Sequence, residues 1–386
     1  MTADLSRAAA SPAESFSDPA DVAAEQDVTA LDFDPHDPIS ANFRSAIDAA
    51  LAAQVDRVEQ RLAAVSPHTL RMTQLARDLC AGGKRIRPAF AYWGHIAVDA
   101  ASHLDHASLL QACAAFELLH VGVLVHDDLI DDSDTRRGLP SAHRAFAADQ
   151  PEQSEDYGRA QAVILGDEMI SWADETLLSA GLPADQLASA LPYWFAVRTE
   201  VNAGQFLDIA NQFQLLADLA PLQAAELVLE TKTAKYTVVR PLQFGAALAG
   251  ADPELLENLA AFGTPLGRAF QLRDDLLGVF ASPEQTGKPA GDDLREGKAT
   301  VLLALALDAS PHAEELASLV GDPKLTDLGL QRARELIVSC GAADAVEELI
   351  ERDWDRAQQV LAELEISTPG RIALTKLAEL AVHRQS

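Results

Sequence analysis

The 386-residue chain predicts an all-α fold, and three features of the sequence carry that expectation. Ala and Leu are abundant while aromatic residues make up only 5% of the chain, and Ala and Leu are the strongest helix formers. Apolar positions recur at helical spacing from about residue 39 to the C-terminus. No stretch alternates apolar and polar residues long enough to read as a strand, and no fixed-period repeat occurs.

Residues 1–38 are rich in Ala, Ser, Pro and acids without a sustained period, and are expected to be a disordered acidic tail. Phe43, Ile47, Ala50, Leu51, Val55, Val58 and Leu62 then mark the first amphipathic helix. Breaks are expected at Gly82-Gly83, at Gly138–Pro140, across Ala148–Tyr157, and at Gly181–Pro183, Ala251–Pro253, Ser282–Gly297 and Ser310–Pro311. Between them the pattern is helical, giving one domain over 39–386 of about ten or more helices.

A net charge of −29 argues against nucleic acid or an anionic membrane surface as partner. It also requires any phosphate site to be a local island of Lys and Arg or to use metal ions. Cys80, Cys113 and Cys340 are scattered and odd in number, which fits a reducing cytosol better than a disulfide framework or a zinc site. The start of the chain lacks the basic and apolar regions of a signal peptide, and the apolar run Val301–Leu307 is too short to span a bilayer. The expectation is a soluble cytoplasmic protein without an integral membrane segment.

Two acidic clusters sit at apolar helices. In His126-Asp127-Asp128-Leu129-Ile130-Asp131-Asp132, the Asp127 and Asp131 carboxylates are four residues apart and share a helix face. Such a pair repels unless a cation lies between, and magnesium commonly bridges one or two carboxylates to substrate phosphates. A solvated acidic helix end is the plain alternative. The apolar run Leu118–Val125 that leads in argues against it, because a buried helix should not end in unpartnered acids. Asp274 and Asp275, in Gln271-Leu272-Arg273-Asp274-Asp275, repeat the theme; alone they would read as a surface pair. Gly82-Gly83-Lys84-Arg85-Ile86-Arg87-Pro88 concentrates positive charge next to a glycine turn, suited to an anion. Arg136-Arg137 could be surface ion-pair partners or phosphate ligands.

Taken in order, GGKRIRP at 82–88, HDDLIDDSDTRRG at 126–138, GDE at 166–168, GQFLD at 204–208, TKT at 231–233, QLRDD at 271–275 and GKPAGDDLREGKAT at 287–300 resemble the trans-isoprenyl diphosphate synthase (polyprenyl synthetase) family, geranylgeranyl diphosphate synthases in particular. The resemblance spans residues 40–386. It implies a single-domain isoprenoid synthase-type helical bundle around a deep central cavity, usually a homodimer. It also implies a prenyltransferase that condenses isopentenyl diphosphate head to tail with an allylic diphosphate by magnesium-assisted ionisation, condensation and proton loss. Three magnesium ions are implied, on Asp127, Asp131 and Asp274, with Asp128 and Asp275 in support. Lys84, Arg87, His120 and Arg137 would bind isopentenyl diphosphate. Arg136, Lys232, Thr233, Gln271, Lys288 and Lys298 would bind the allylic diphosphate, with Lys232 and Gln271 joining the three aspartates as catalytic. Phe270 could offer its π face to a cation, and Gln205 and Asp208 would orient Lys232. A lone His such as His120 on an apolar face is ordinarily a core residue; its spacing before Asp127 favours the binding role. One position departs from the family: the second acidic motif ends in Gly278 where many relatives carry a further Asp, which could weaken the third ion.

The growing chain is expected to run along the helix that leads to Asp127. Gly122 and Val123 would leave its path open, with Leu118 and Leu119 a turn deeper and Phe116 below them. The product expected is geranylgeranyl diphosphate (C20), with longer polyprenyl chains as the alternative. Two other readings remain: a terpene cyclase, which has no need for the GGKRIRP site, and a non-catalytic regulatory subunit of a heteromeric synthase, for which Gly278 is the one hint.

Overall fold

The most apolar long stretch of the sequence becomes a central helix, and the remaining helices are arranged by what they bury against it. The computed structural model describes residues 33–150, 152, 154–281, 291–322 and 324–383, which fall within one unit, Asp32–Ser386. Helix α1 (Ala41–Val65) starts where the Ser40 hydroxyl accepts from the Phe43 amide, and it buries Phe43, Ile47, Leu51, Val55 and Val58. Helices α2 (Leu70–Cys80) and α3 (Ile86–Val98) flank the glycine turn. Helix α4 (His106–Ile130) is capped by the Asp105 carboxylate, which accepts from the Ser108 amide. By length and composition α4 could cross a membrane, but 72% of its most apolar window is buried within the fold, as expected of a core helix.

Beyond α4 the chain turns through a two-residue antiparallel ladder, Thr135–Arg136 against Leu139–Pro140, the only strand pairing among the described residues. Helices α5 (Ala142–Asp149), α6 (Ser154–Leu178), α7 (Ala184–Gln212) and α8 (Pro221–Val228) follow. Helix α8 runs into a π-helical segment, Leu229–Val239, and that into α9 (Arg240–Leu248). Helix α10 (Pro253–Phe280) has Asp252 as its cap and Pro253 in its first turn, where the missing amide proton costs nothing. Helices α11 (Asp292–Glu296), α12 (Val301–Ala309), α13 (Ala313–Leu319), α14 (Asp327–Ser339), α15 (Ala342–Glu363) and α16 (Thr368–Val382) complete the chain. The main packings are α4 on α6, α3 on α9, α10 on α15, and the π-helical segment between α7 and α10.

Two expectations need correction here. The tail was expected to run to residue 38, but residues 33–38 are ordered. Phe33 is buried edge-on against Phe43 and Tyr92, with ring centroids 5.2 and 5.3 Å apart. Trp93 Nε1 donates to the Pro38 carbonyl at 2.9 Å. A single aromatic in an acidic stretch carries no periodicity, so composition hid the docking. Residues 1–32 lie outside the described residues. Gly122 was placed on the product path, but it faces α6 instead. A Cβ there would meet Ile170 Cγ1 at 3.0 Å, the Gly166 carbonyl at 3.1 Å and Met169 Cβ at 3.2 Å. Its bare Cα lets α4 and α6 approach closely.

Candidate active site

The end of α4, the π-helical segment and the C-terminal third of α10 enclose two adjoining cavities of about 510 and 320 Å³. Both are lined by Leu124, Asp127, Arg136, Lys232, Thr233, Gln271 and Asp274, so the two acidic clusters open on one cleft. The larger adds Lys84, Asp208, Asp275, Gly278, Asp293 and Lys298. The smaller adds Arg87, His120, Val123, Arg137, Tyr236 and Phe270.

The π-helical segment explains how Lys232, Thr233 and Tyr236 can all face the cleft. Its wider i→i+5 turn, a feature found often at functional sites, brings positions four and five apart into line. Gly204 on α7 lets that segment come close, since a Cβ there would sit 2.4 Å from the Lys232 amide nitrogen. Asp208, a turn further along α7, then accepts from Lys232 Nζ at 2.7 Å, and Asp127 accepts from the same ammonium at 3.1 Å. Burial alone would push the Asp127 carboxyl up, but Lys232, Lys298 and Arg136 together hold it well below the usual carboxylate range. The Lys232 ammonium is raised in turn: burial opposes its charge, and Asp127 and Asp208 outweigh that.

Asp131, the residue that ends α4 one turn past Asp127, lines neither cavity and has Lys298 Nζ 3.5 Å away. Burial, then the charge of Asp127, pushes its carboxyl up to about 6. Asp275 is buried and raised well above the usual range, first by burial and then by the neighbouring Asp293 and Asp274, although Gln271 Nε2 donates to it at 2.8 Å. These groups are paid for in part by Lys298, whose ammonium reaches Glu296 at 2.6 Å and Asp293 at 3.4 Å.

Asp128 does not face the cleft. It is buried, and the Arg136 guanidinium grips its carboxylate, with Nε 2.9 Å from Oδ1 and 3.1 Å from Oδ2. The expected support for a metal is therefore corrected to support for Arg136, which lines both cavities. On α4 the residues one and two positions past Asp127 point away from its face, so adjacency in the acidic run was misleading.

In the smaller cavity, Arg87 is half-buried with its guanidinium 4.4 Å from the centroid of the Tyr236 ring, and Nη2 donates to Thr237 Oγ1 at 2.8 Å. Its Nε is buried without a hydrogen-bond partner among the described residues. His120 Nδ1 lies 3.2 Å from the Tyr236 hydroxyl. Burial, reinforced by the positive charges of Arg87, Arg137 and Arg136, holds this imidazole well below its usual value, so it is neutral. Arg137 Nη2 lies 3.3 Å from Glu117 Oε1, and Arg85 Nη1 donates to the same oxygen at 2.6 Å. Gly83, at φ +93°, fits beneath the Arg137 guanidinium, since a Cβ there would fall 2.9 Å from Nη2.

Sequence reasoning missed Tyr236, Glu117 and Asp293. Tyr236 stands four residues after Lys232, a spacing that reads as a shared face once the segment is known to be helical. Glu117 is an acid within an apolar run, where a charge needs a partner, and that was the signal available for it. Lys288 lies outside the described residues. Leu118, Leu119 and Phe116 line neither cavity and are fully buried; Phe116 stands edge-on to Trp194 and Phe244, both 5.1 Å away.

The donor set suits magnesium. Among the described residues no group of three His, Cys, Asp or Glu side chains forms a complete metal cage. The carboxylates of Asp127 and Asp274 instead open separately on the shared cleft. Magnesium is held in that manner, by one or two carboxylates with water and substrate phosphate making up the rest.

Comparison with known proteins agrees with this geometry. The polyprenyl synthetase family model matches residues 70–336. A geranylfarnesyl diphosphate synthase of Natronomonas pharaonis is 32% identical over 283 residues, covering 70% of this chain and 77% of that one. An octaprenyl diphosphate synthase of Escherichia coli is 32% identical over 306 residues, covering 78% and 86%. Among solved structures, a Corynebacterium glutamicum geranylgeranyl pyrophosphate synthase, crystallised with isoprenyl diphosphate and magnesium, aligns at a TM-score of 0.84 with 36% identity, covering 89% of this chain and 99% of that one. With a magnesium-suited cleft, cationic side chains facing it and a matched family model, the chain belongs to the polyprenyl synthetase family and is a trans-type prenyl diphosphate synthase.

Proposed function

We propose that the cleft condenses isopentenyl diphosphate with an allylic diphosphate and stops at geranylgeranyl diphosphate, C20. The carrying observation is that Asp127 of α4 and Asp274 of α10 line the same two cavities, flanked by Lys232, Arg136, Thr233 and Gln271. Three magnesium ions, held by Asp127, Asp131 and Asp274, would neutralise the departing diphosphate when bound. Asp275, next to Asp274 and bonded to Gln271, would keep that side of the cleft in order.

The chain's own groups account for the rest. Lys232, Arg136, Thr233, Gln271 and Lys298 would receive the allylic diphosphate and the charge it gains as its C–O bond breaks. Arg87, His120, Arg137 and, from the rim, Lys84 would hold the second diphosphate, with Tyr236 fixing both Arg87 and His120. Phe270, lining the smaller cavity, would face the allylic cation. Attack by the isopentenyl double bond forms the new C–C bond, and loss of a proton restores the alkene. Neutral His120 suits a hydrogen-bonding role here better than an ionic one.

Chain length would be set on the α4 face that carries Asp127, Val123, His120 and Phe116. Phe116, which lines neither cavity and packs against Trp194 and Phe244, would close that path below the smaller cavity, about 17 Å along α4 from Asp127 at the helical rise of about 1.5 Å per residue. The protein would act as a homodimer: α6 and α7 expose Val163, Ile164, Phe195 and Phe206, apolar surface that a second copy would cover.

The test is chromatography of products from the purified protein with magnesium, isopentenyl diphosphate and dimethylallyl, geranyl or farnesyl diphosphate in turn. C20 from all three is expected. Turnover of the allylic substrate alone would indicate a cyclase; no turnover at all would indicate a regulatory subunit.

A further inference from the structure

Gly278 is where the second acidic segment departs from the D-D-x-x-D pattern, and the space a side chain would need there is already filled. A Cβ on Gly278 would lie 1.8 Å from Asp293 Oδ2 and 2.7 Å from its Cγ. Asp293 belongs to α11, a different helix, and its carboxylate lies over the bare Cα of α10. Positions 274 and 278 are four apart on α10 and so share a face. Asp274, Asp275, Gly278 and Asp293 all line the larger cavity. The Asp293 carboxylate therefore stands where a fifth-position side chain of the motif would begin. Its contact with Lys298, 3.4 Å, is one of three that this ammonium divides among Asp131, Asp293 and Glu296.

We propose that Asp293 supplies, from α11, the carboxylate that the second acidic motif lacks, and that Gly278 stays bare to seat it. The proposal rests on the reading of the cleft as a metal–diphosphate site. Asp293 would donate an oxygen to the metal on the Asp274 side, directly or through metal-bound water, since magnesium keeps several of its waters. On this account Gly278 is not a lost ligand. A larger residue there expels Asp293, and the carboxylate can be moved back to α10 only if Asp293 is removed at the same time.

The experiment titrates Mn2+ into the full-length protein in the presence of inorganic diphosphate and counts bound ions by electron paramagnetic resonance. Thermal unfolding of each variant is followed in parallel. Asp293→Asn is expected to weaken one class of Mn2+ site about tenfold. Gly278→Ala should do the same while leaving the melting temperature unchanged or raised, because Ala is the better helix former. Asp293→Gly should lose the site, and the exchange Gly278→Asp with Asp293→Gly should recover most of it. Wild-type titration by both Asp293→Asn and Gly278→Ala would overturn the proposal, as would an exchange variant no better than Asp293→Gly. Failure of the wild-type protein itself to bind Mn2+ with diphosphate would instead overturn the metal–diphosphate reading beneath it.

Discussion

Lys232, on the π-helical segment, donates from its ammonium to the Asp127 carboxylate at 3.1 Å, joining the C-terminal end of α4 to a residue far along the chain. Asp208 shares the same ammonium at 2.7 Å, so the lysine is held between two carboxylates rather than aimed at one. A metal ion arriving at Asp127 would compete for one carboxylate and leave the other to keep Lys232 in place.

Replacing Lys232 with Gln should therefore damage turnover more than folding. Loss of a positioned donor to developing charge costs about 10²–10³ in kcat. Steady-state kinetics with saturating magnesium should show that fall, with the KM for isopentenyl diphosphate little changed, because Arg87, His120 and Arg137 are untouched.

Asp131 gives the site a pH dependence. Its carboxyl is raised to about 6, so its protonated form is favoured by folding. The associated stability is present at low pH and is lost as pH rises through about 6, with a slope of at most about 1.4 kcal/mol per pH unit. Without metal, the melting temperature should rise between pH 6.5 and 5, and Asp131→Asn should flatten that rise. The proton also competes with metal, so Mn2+ affinity should fall below pH 6 in the wild-type protein.

Product length should respond to Phe116 and not to Gly122. Phe116→Leu is expected to lengthen the product, read by chromatography, with a loss of stability in the range of about 1–3 kcal/mol for a partly emptied core. Gly122→Phe should instead drive α4 from α6 and yield little folded protein, since even a Cβ there meets three atoms of α6 within 3.2 Å.

Glu117 is expected to matter without touching substrate. It holds Arg85 at 2.6 Å and Arg137 at 3.3 Å in a buried cluster. Glu117→Gln should raise the KM for isopentenyl diphosphate while sparing that of the allylic substrate. Glu117→Leu, which leaves the buried Arg85 with only the half-exposed Asp48 as its acid and takes the acid from Arg137, should lower stability in chemical denaturation by less than the about 3–5 kcal/mol of a fully orphaned buried charge.

Much of this was legible in the sequence because it is written locally. The all-α character follows from composition and period; Asp127, Arg136 and Asp274 stand out in short runs of unusual chemistry, while Lys232 and Gln271 were reached through the family resemblance. What escaped depended on direction rather than identity. Asp128 turns to Arg136, and Gly122 turns to α6, because neighbours on a helix face different ways and the sequence does not state which way is inward. Tyr236 required knowledge of a π-helical turn, and Asp293 required two helices separated in sequence to meet over Gly278. Phe33 is one aromatic in a polar stretch, and only its partners Phe43 and Tyr92 reveal its role.

The central claim is that the two acidic segments grip one metal–diphosphate cluster. Anomalous scattering from crystals of this protein grown with Mn2+ and inorganic diphosphate tests it most directly. The account predicts manganese peaks on the cleft sides of Asp127 and Asp274 with diphosphate between them, in contact with Lys232 and Arg136. Manganese confined to outer acidic surfaces, with the cleft lacking both ion and diphosphate, would contradict it.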